Sequence, residues 1–232
     1  MIVTIQQPEH LPWTGFFHKM MCADLYVYLD HVQYRKGYFQ NRNKIVNMEG
    51  KEVWATIPVK SGSFHEPILD KEIVINGYSK KYISLIESSY NKSKYFDKYY
   101  DKFQLIFKNE HSNLVDLNLD IIDFFRCELG IDTPTVRSSD LNISSTKSEM
   151  NLDICLKLSA DSYITGPSGL DYLDIESFQD RNIELLVHNY ISPVYQSNHF
   201  YPNLSTLDLL FNQGENSRQI ILDAGNIKKN KQ

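Results

Sequence analysis

The chain has 232 residues, 42% of them hydrophobic, with a net charge of -5 and three cysteines. That length can bury a sizeable core without disulfide staples, and three widely separated cysteines without a Cys-x-x-Cys pair exclude a zinc ribbon or a redox motif. The acidic balance argues against non-specific nucleic-acid binding, which relies on many cations neutralising phosphates, and no run of eighteen apolar residues suggests a membrane span.

Met1 leads directly into an apolar run with no basic n-region or cleavage pattern, so the expected location is the cytoplasm. The run Met1-Ile2-Val3-Thr4-Ile5 predicts a buried strand, and Phe16, Phe17, Met20 and Met21 predict a helix after it. A second strand is expected over Leu25 to Leu29. Residues 40–59 alternate well enough for a hairpin around Asn47-Met48-Glu49-Gly50, either extending the sheet or covering its edge. A short strand is expected at Glu72 to Ile75. Three helices follow between residues 79 and 130, the first capped by Ser79 and the third closed by Gly130. Beyond them a helix over Ser148 to Leu158, a strand over Ser162 to Thr165, a strand over Ile183 to His188 and helices at Ser205 to Asn212 and Ser217 to Leu222 alternate. This alternation favours a parallel sheet. The expectation is therefore a single α/β domain over 1–232, with a mainly parallel sheet, a hairpin addition and a helical insertion at about 79–130. The basic tail Lys228-Lys229-Asn230-Lys231 reads as a solvated terminus. Fifteen tyrosines, many alternating with lysine between Tyr78 and Tyr100, suit either the rims of surface helices or a homodimer face.

Four polar sets stand out. In Gln7-Pro8-Glu9-His10-Leu11-Pro12-Trp13-Thr14-Gly15 the prolines fix the chain and Gly15 permits close approach. Such a loop can present Gln7, Trp13 and His10 to a ligand, with His10 as general base. Equally, the prolines and Trp13 pack the turn onto the core and His10 is a satisfied histidine. After the second strand, Asp30, Gln33, Lys36, Gln40, Asn41 and Arg42 combine donors and acceptors with two cations suited to phosphate or carboxylate, although strand ends are often polar only because they are wet. Ser138 and Ser139 serve either as helix caps or as ligand hydroxyls. Gly166-Pro167-Ser168-Gly169 with Asp171 and Tyr172 forms either an anion-cradling turn or ordinary loop chemistry. No Asp-x-Asp pair, Gly-x-Gly-x-x-Gly, His-Glu-x-x-His or Gly-x-Ser-x-Gly occurs, so no metal is expected and neither a dinucleotide fingerprint nor an acyl-enzyme elbow is present.

The ordered motifs Gln7-Pro8-Glu9-His10-Leu11-Pro12-Trp13-Thr14-Gly15-Phe16-Phe17, Val32-Gln33-Tyr34, Phe39-Gln40-Asn41-Arg42-Asn43, Thr165-Gly166-Pro167, Asp171-Tyr172-Leu173, Pro193-Val194-Tyr195-Gln196 and Leu207-Asp208-Leu209-Leu210-Phe211-Asn212 resemble the WbqC-like family of bacteria over nearly the whole chain. His10 and His31 depart from the residues expected there, an aromatic and an acidic one. The resemblance implies a place in O-antigen or surface polysaccharide biosynthesis. A weaker likeness links the opening strand, Pro-x-His loop, helix and strand ending in Asp to Rossmann-like nucleotidyl-transfer enzymes of the HUP class, without their second histidine or their Lys-Met-Ser-Lys-Ser loop.

These implications lead to a transferase that attaches an acyl or aminoacyl group to a nucleotide-linked amino sugar. Arg42 and Lys36 would hold the diphosphate, Gln7, Gln33 and Asn41 the hydroxyls, and Asp30 or His10 would take the amine proton. A metal-independent glycosyltransferase and a non-catalytic binding module of a polysaccharide assembly complex are the alternatives. The partner is a nucleotide sugar or amino sugar, and the co-substrate an acyl donor or nucleotide.

Overall fold

The computed structural model describes residues 1–109 and 111–230. In chain order the elements are β1 (Ile2–Gln6), α1 (Thr14–Met21), β2 (Leu25–Tyr28), β3 (Arg42–Val46), β4 (Glu52–Thr56), α2 (Tyr78–Tyr90), α3 (Phe96–Ile106), α4 (Leu114–Leu129), β5 (Thr135–Arg137), α5 (Lys147–Lys157), β6 (Ser162–Thr165), α6 (Ile175–Asp180), β7 (Glu184–Tyr190), α7 (Thr206–Gln213), α8 (Ser217–Asp223) and β8 (Gly225–Lys229).

Six strands form one sheet in the order β5-β2-β1-β6-β7-β8, parallel except for β8. Val3 on β1 is level with Leu25 on one side and Tyr163 on the other. The two-residue period of the strands divides the core. Val3, Ile5 and Val27 face α5 and α6 with Ile154, Cys155 and Phe178. Tyr26 and Tyr28 face the opposite way, into a larger core with Phe16 and Phe17 of α1, Phe125 of α4 and Leu207 and Phe211 of α7. Both faces of the sheet are thus covered, as parallel sheets require.

The helix α4 shows how local sequence sets an element. The Asn113 side chain accepts from the Val115 N–H at 2.8 Å and caps its start. At the other end Gly130 takes φ +62°, and the N–H of Ile131 returns to the Arg126 carbonyl at 2.8 Å. Only a residue free to adopt a left-handed conformation ends a helix this way without strain.

Several expectations are corrected. Of the two readings of the hairpin, extension of the sheet is excluded, because β3–β4 forms a separate two-stranded sheet. Residues 72–75 make only isolated bridges, Val59 to Ile73 and Glu72 to Asn113. Ser79 does not cap α2, which begins one residue earlier behind Gly77 in the left-handed region. The C-terminal basic stretch is not a free tail as far as Lys229: it is the antiparallel edge strand β8, with Lys229 paired to Glu184 at 2.7 Å. Lys231 lies outside the described residues. No helix among the described residues is long and apolar enough to cross a membrane.

Candidate functional site

The parallel strands deliver their C-terminal ends to one edge of the sheet, and most of the polar sets gather on or beside it. The β1 end releases Gln7, whose amide oxygen accepts from Gln40 Nε2 at 2.7 Å. The Gln40 oxygen in turn accepts the Arg35 N–H at 2.7 Å. Gln40 therefore fixes the bend of residues 35–40 against the β1 loop. Asn41, also buried, donates to the Ile57 carbonyl at 2.8 Å and ties that bend to the hairpin.

Between this bend and residues 56–64 opens a cleft of about 970 Å³, within the size range of small-molecule sites. Gln33, Lys36, Asn41 and Arg42 line it together with Arg35, Lys60 and Lys71, and no carboxylate is among its described lining residues. Lys60 and Lys71 are compensated from outside the lining, by Glu72 and by Glu66 respectively. Arg35, Lys36 and Arg42 form no ion pair with any described residue. The Arg42 guanidinium lies 4.2 Å from the Trp54 ring centre and donates from Nη2 to the Gly37 carbonyl, while its buried Nε has no partner among the described residues. Arg35 lies over Tyr38 at 5.5 Å. Tyr38 and Phe64, both largely exposed, form aromatic lips on the cleft, and Gln33 donates from its amide to the Phe64 carbonyl. In a chain of net charge -5, three uncompensated cations sharing one cleft concentrate positive potential where an anionic group can reach it.

The second strand-end set has a different part. Asp30 is fully buried and accepts from Arg137 Nε at 2.6 Å, Ser138 Oγ at 3.0 Å, and Ser139 N–H and Oγ at 3.0 and 2.9 Å. Burial pushes its carboxyl upward, but the hydrogen bonds from Arg137, Ser139 and Ser138 together outweigh this and hold it below the usual carboxylate range. Asp30, Ser138 and Ser139 thus lock the end of β2 to the end of β5 and do not line the cleft. His10 is fully buried, its Nδ1 at 3.0 Å from Asn118 Oδ1 and its Nε2 at 2.6 Å from the Tyr82 hydroxyl. Asn118 Nδ2 already donates to the Gln40 carbonyl at 2.7 Å, so Asn118 Oδ1 accepts and His10 carries its proton on Nδ1. Burial lowers its pKa to about 4, with Asn118 opposing. Both ring nitrogens are taken by protein groups, and this geometry does not support His10 or Asp30 as a base facing a substrate. Ser168, Asp171 and Tyr172 lie exposed on the turn after β6, away from the cleft lining.

Trp13 belongs to a smaller crevice of about 280 Å³ at the ends of β1 and β6, with Gln6, Gly15, Lys19, Gly166, Pro167, His188 and Tyr190. Of its lining residues the sequence marked Trp13 as a ligand contact, with Gly15 as permitting close approach and Gly166 and Pro167 as part of a turn that could cradle an anion, but not Gln6, Lys19, His188 or Tyr190. Lys19 sits in a short amphipathic helix, where a lysine ordinarily points to water, and only the packing of α1 on the sheet buries it. The cleft residues Arg35, Lys60 and Lys71 were also unmarked, since the last two join Arg42 through folding of residues 56–71.

The family comparison decides the lineage, since the family model of the WbqC-like protein family matches residues 7–220. The chain belongs to this family. A relative within reach of the comparison is an uncharacterized protein of Mycobacterium tuberculosis (strain ATCC 25618 / H37Rv), Rv1507c, 32% identical over 221 residues, spanning 91% of this chain and 94% of the relative. No solved structure matches. The WbqC-like match includes the β1 loop, the cleft and the crevice, so the site described here lies wholly within the part that matches the family, apart from Gln6 at its border.

Proposed function

We propose that this WbqC-like chain is a transferase of bacterial O-antigen or surface polysaccharide biosynthesis that binds a nucleotide-linked amino sugar and attaches an acyl or aminoacyl group to it. The observation that carries the reading is the cationic cleft with Arg35, Lys36 and Arg42 uncompensated and Tyr38 and Phe64 at its lips. Guanidinium groups match the oxygens of a diphosphate through paired donors, and exposed aromatic rings offer a face to a base. Gln33 and Asn41 stand beside them, with Asn41 held by the Ile57 carbonyl and so placed to turn its oxygen toward a hydroxyl. The strand order, with β1 and β6 central and the chain running outward to either side, supports the Rossmann-like, HUP-like type of sheet expected from the sequence.

The test is a thermal-shift and calorimetric screen against nucleoside diphosphate sugars, free nucleotides, ATP and acyl-coenzyme A. A ligand at 100 times its Kd adds about 2.7 kcal/mol to the folded state by mass action. A rise in Tm with a nucleotide amino sugar, lost in Arg42→Ala, supports the reading. Absence of binding by every nucleotide sugar would move the assignment to a non-catalytic binding module.

A further inference from the structure

The crevice between β1 and β6 is chemically distinct from the cleft. It lies outside the carboxyl ends of two central strands from which the chain winds in opposite directions, and at such a point the loops diverge and leave a cavity. Its walls are Trp13 and Tyr190, edge to face at 5.4 Å, with His188 stacked on Tyr190 at 5.6 Å. A Cβ at Gly15 would overlap the Trp13 ring, so the glycine is what lets the indole lie along the first turn of α1. Lys19 is only 7% exposed, yet its ammonium makes one hydrogen bond, to the Ile5 carbonyl at 3.3 Å, and no ion pair with a described residue. Gln6 is turned by its side-chain amide donation to Glu9 Oε1 at 3.0 Å, which leaves its side-chain oxygen and its second amide N–H outside that bond. Glu9 Oε2 is buried without a partner among the described residues.

The charge of Glu9 offsets part of the cost of burying this ammonium, but its remaining donors are unfilled, and a strongly polar group in the crevice would complete them. The aromatic walls and the single cation exclude a polyphosphate, which needs several donors, and the positive charge repels the ammonium of an amino sugar. We propose that this crevice is a second ligand site, which takes the carboxylate of a small organic acid, anchored by Lys19 and Gln6 and enclosed by Trp13 and Tyr190. About 280 Å³ has room for an acid of a few carbons. The assignment is to reversible binding alone and stands independently of the acyl-transfer reading. Burial lowers the Lys19 pKa to about 8, with Glu9 opposing, so the ammonium stays charged at neutral pH.

Calorimetric titration of the full chain at pH 7 with acetate, propionate and 3-hydroxybutyrate, with methylammonium as control, tests it. At least one carboxylate should bind, with at least tenfold weaker affinity in Lys19→Met, partial recovery in Lys19→Arg and unchanged affinity in Arg42→Ala. Amide NMR of the unaltered protein gives a second reading that needs no variant: Gly15 and Gly166 should shift with the carboxylate. Absence of binding by all three acids, equal binding to a folded Lys19→Met, or equal binding of methylammonium would overturn the proposal. Nucleotide-sugar binding that is sensitive to Arg42→Ala would survive that outcome, and failure of the cleft reading would leave the carboxylate result standing, so the two are separable.

Discussion

His10 Nδ1 and Asn118 Oδ1 meet at 3.0 Å in the core although 108 positions separate them in the chain. Asn118 also donates to the carbonyl of Gln40, so one side chain of α4 joins the β1 loop to the bend beside the cleft. The imidazole is the neutral centre of this joint, and the structure depends on its staying neutral.

Acid should therefore weaken the protein. His10 and His188 are held neutral by burial, with pKa lowered to about 4 and about 3. Below pH about 6.5 the unfolded chain takes up protons at both imidazoles while the folded chain does not, so stability is full above 6.5 and falls as pH drops toward 4 and 3. Urea unfolding at pH 7.5 and 5 should differ by on the order of 4 kcal/mol from these two groups, about 2 from each. A His188→Phe variant should flatten that slope, and an unchanged slope would contradict it.

Glu9 should act in the opposite direction. Burial raises its pKa to about 7, against the Gln6 hydrogen bond and the Lys19 charge. The unfolded carboxyl ionises near 4.5, so the group's contribution is full below 4.5 and is lost as pH rises through 7. Glu9→Gln should raise the urea midpoint at pH 8 and leave it nearly unchanged at pH 4.5.

Asp30 carries the joint between β2 and β5. Asp30→Asn would leave the Arg137 guanidinium without its buried anion and turn two oxygens into one, so a loss of about 3 kcal/mol is expected, measured by chemical unfolding. Nucleotide-sugar affinity should change little in molecules that remain folded, because Asp30 is not in the cleft lining.

Within the cleft, Arg42→Ala should weaken nucleotide-sugar binding by about 10- to 100-fold, the range of one lost charge-assisted hydrogen bond set. Lys71→Met should have a smaller effect, since Lys71 already satisfies Glu66 at 2.5 Å. Titration of both variants with one nucleotide sugar decides the order.

The sequence was most legible where the signal is local. The run Ser162 to Thr165 and the helix Leu114 to Leu129 were read with their observed bounds, because an apolar run meets a glycine turn in one and an asparagine cap and glycine stop frame the other. β8 was missed: Gly-Asn-Ile-Lys-Lys holds one apolar residue, and what makes it a strand is its pairing with β7. The hairpin was visible, but its separation from the main sheet depends on contacts far away in the chain. Among site residues, the cluster of Lys36, Asn41 and Arg42 announced the cleft. His10 and Asp30 looked reactive by type alone, and only their hydrogen-bond partners, all distant in sequence, show that their lone pairs are already engaged.

Every residue lining the cleft falls between positions 33 and 71, a single stretch of chain hung from the end of β2 and carried by its own two-stranded sheet. On the proposed reading, recognition is housed in one contiguous cassette, joined to the six-stranded platform through the Gln40 contacts with Gln7 and Asn118. Exchanging this cassette between relatives should transfer ligand preference as a unit, so that substrate diversity in such proteins is expected to track about forty residues rather than the whole chain.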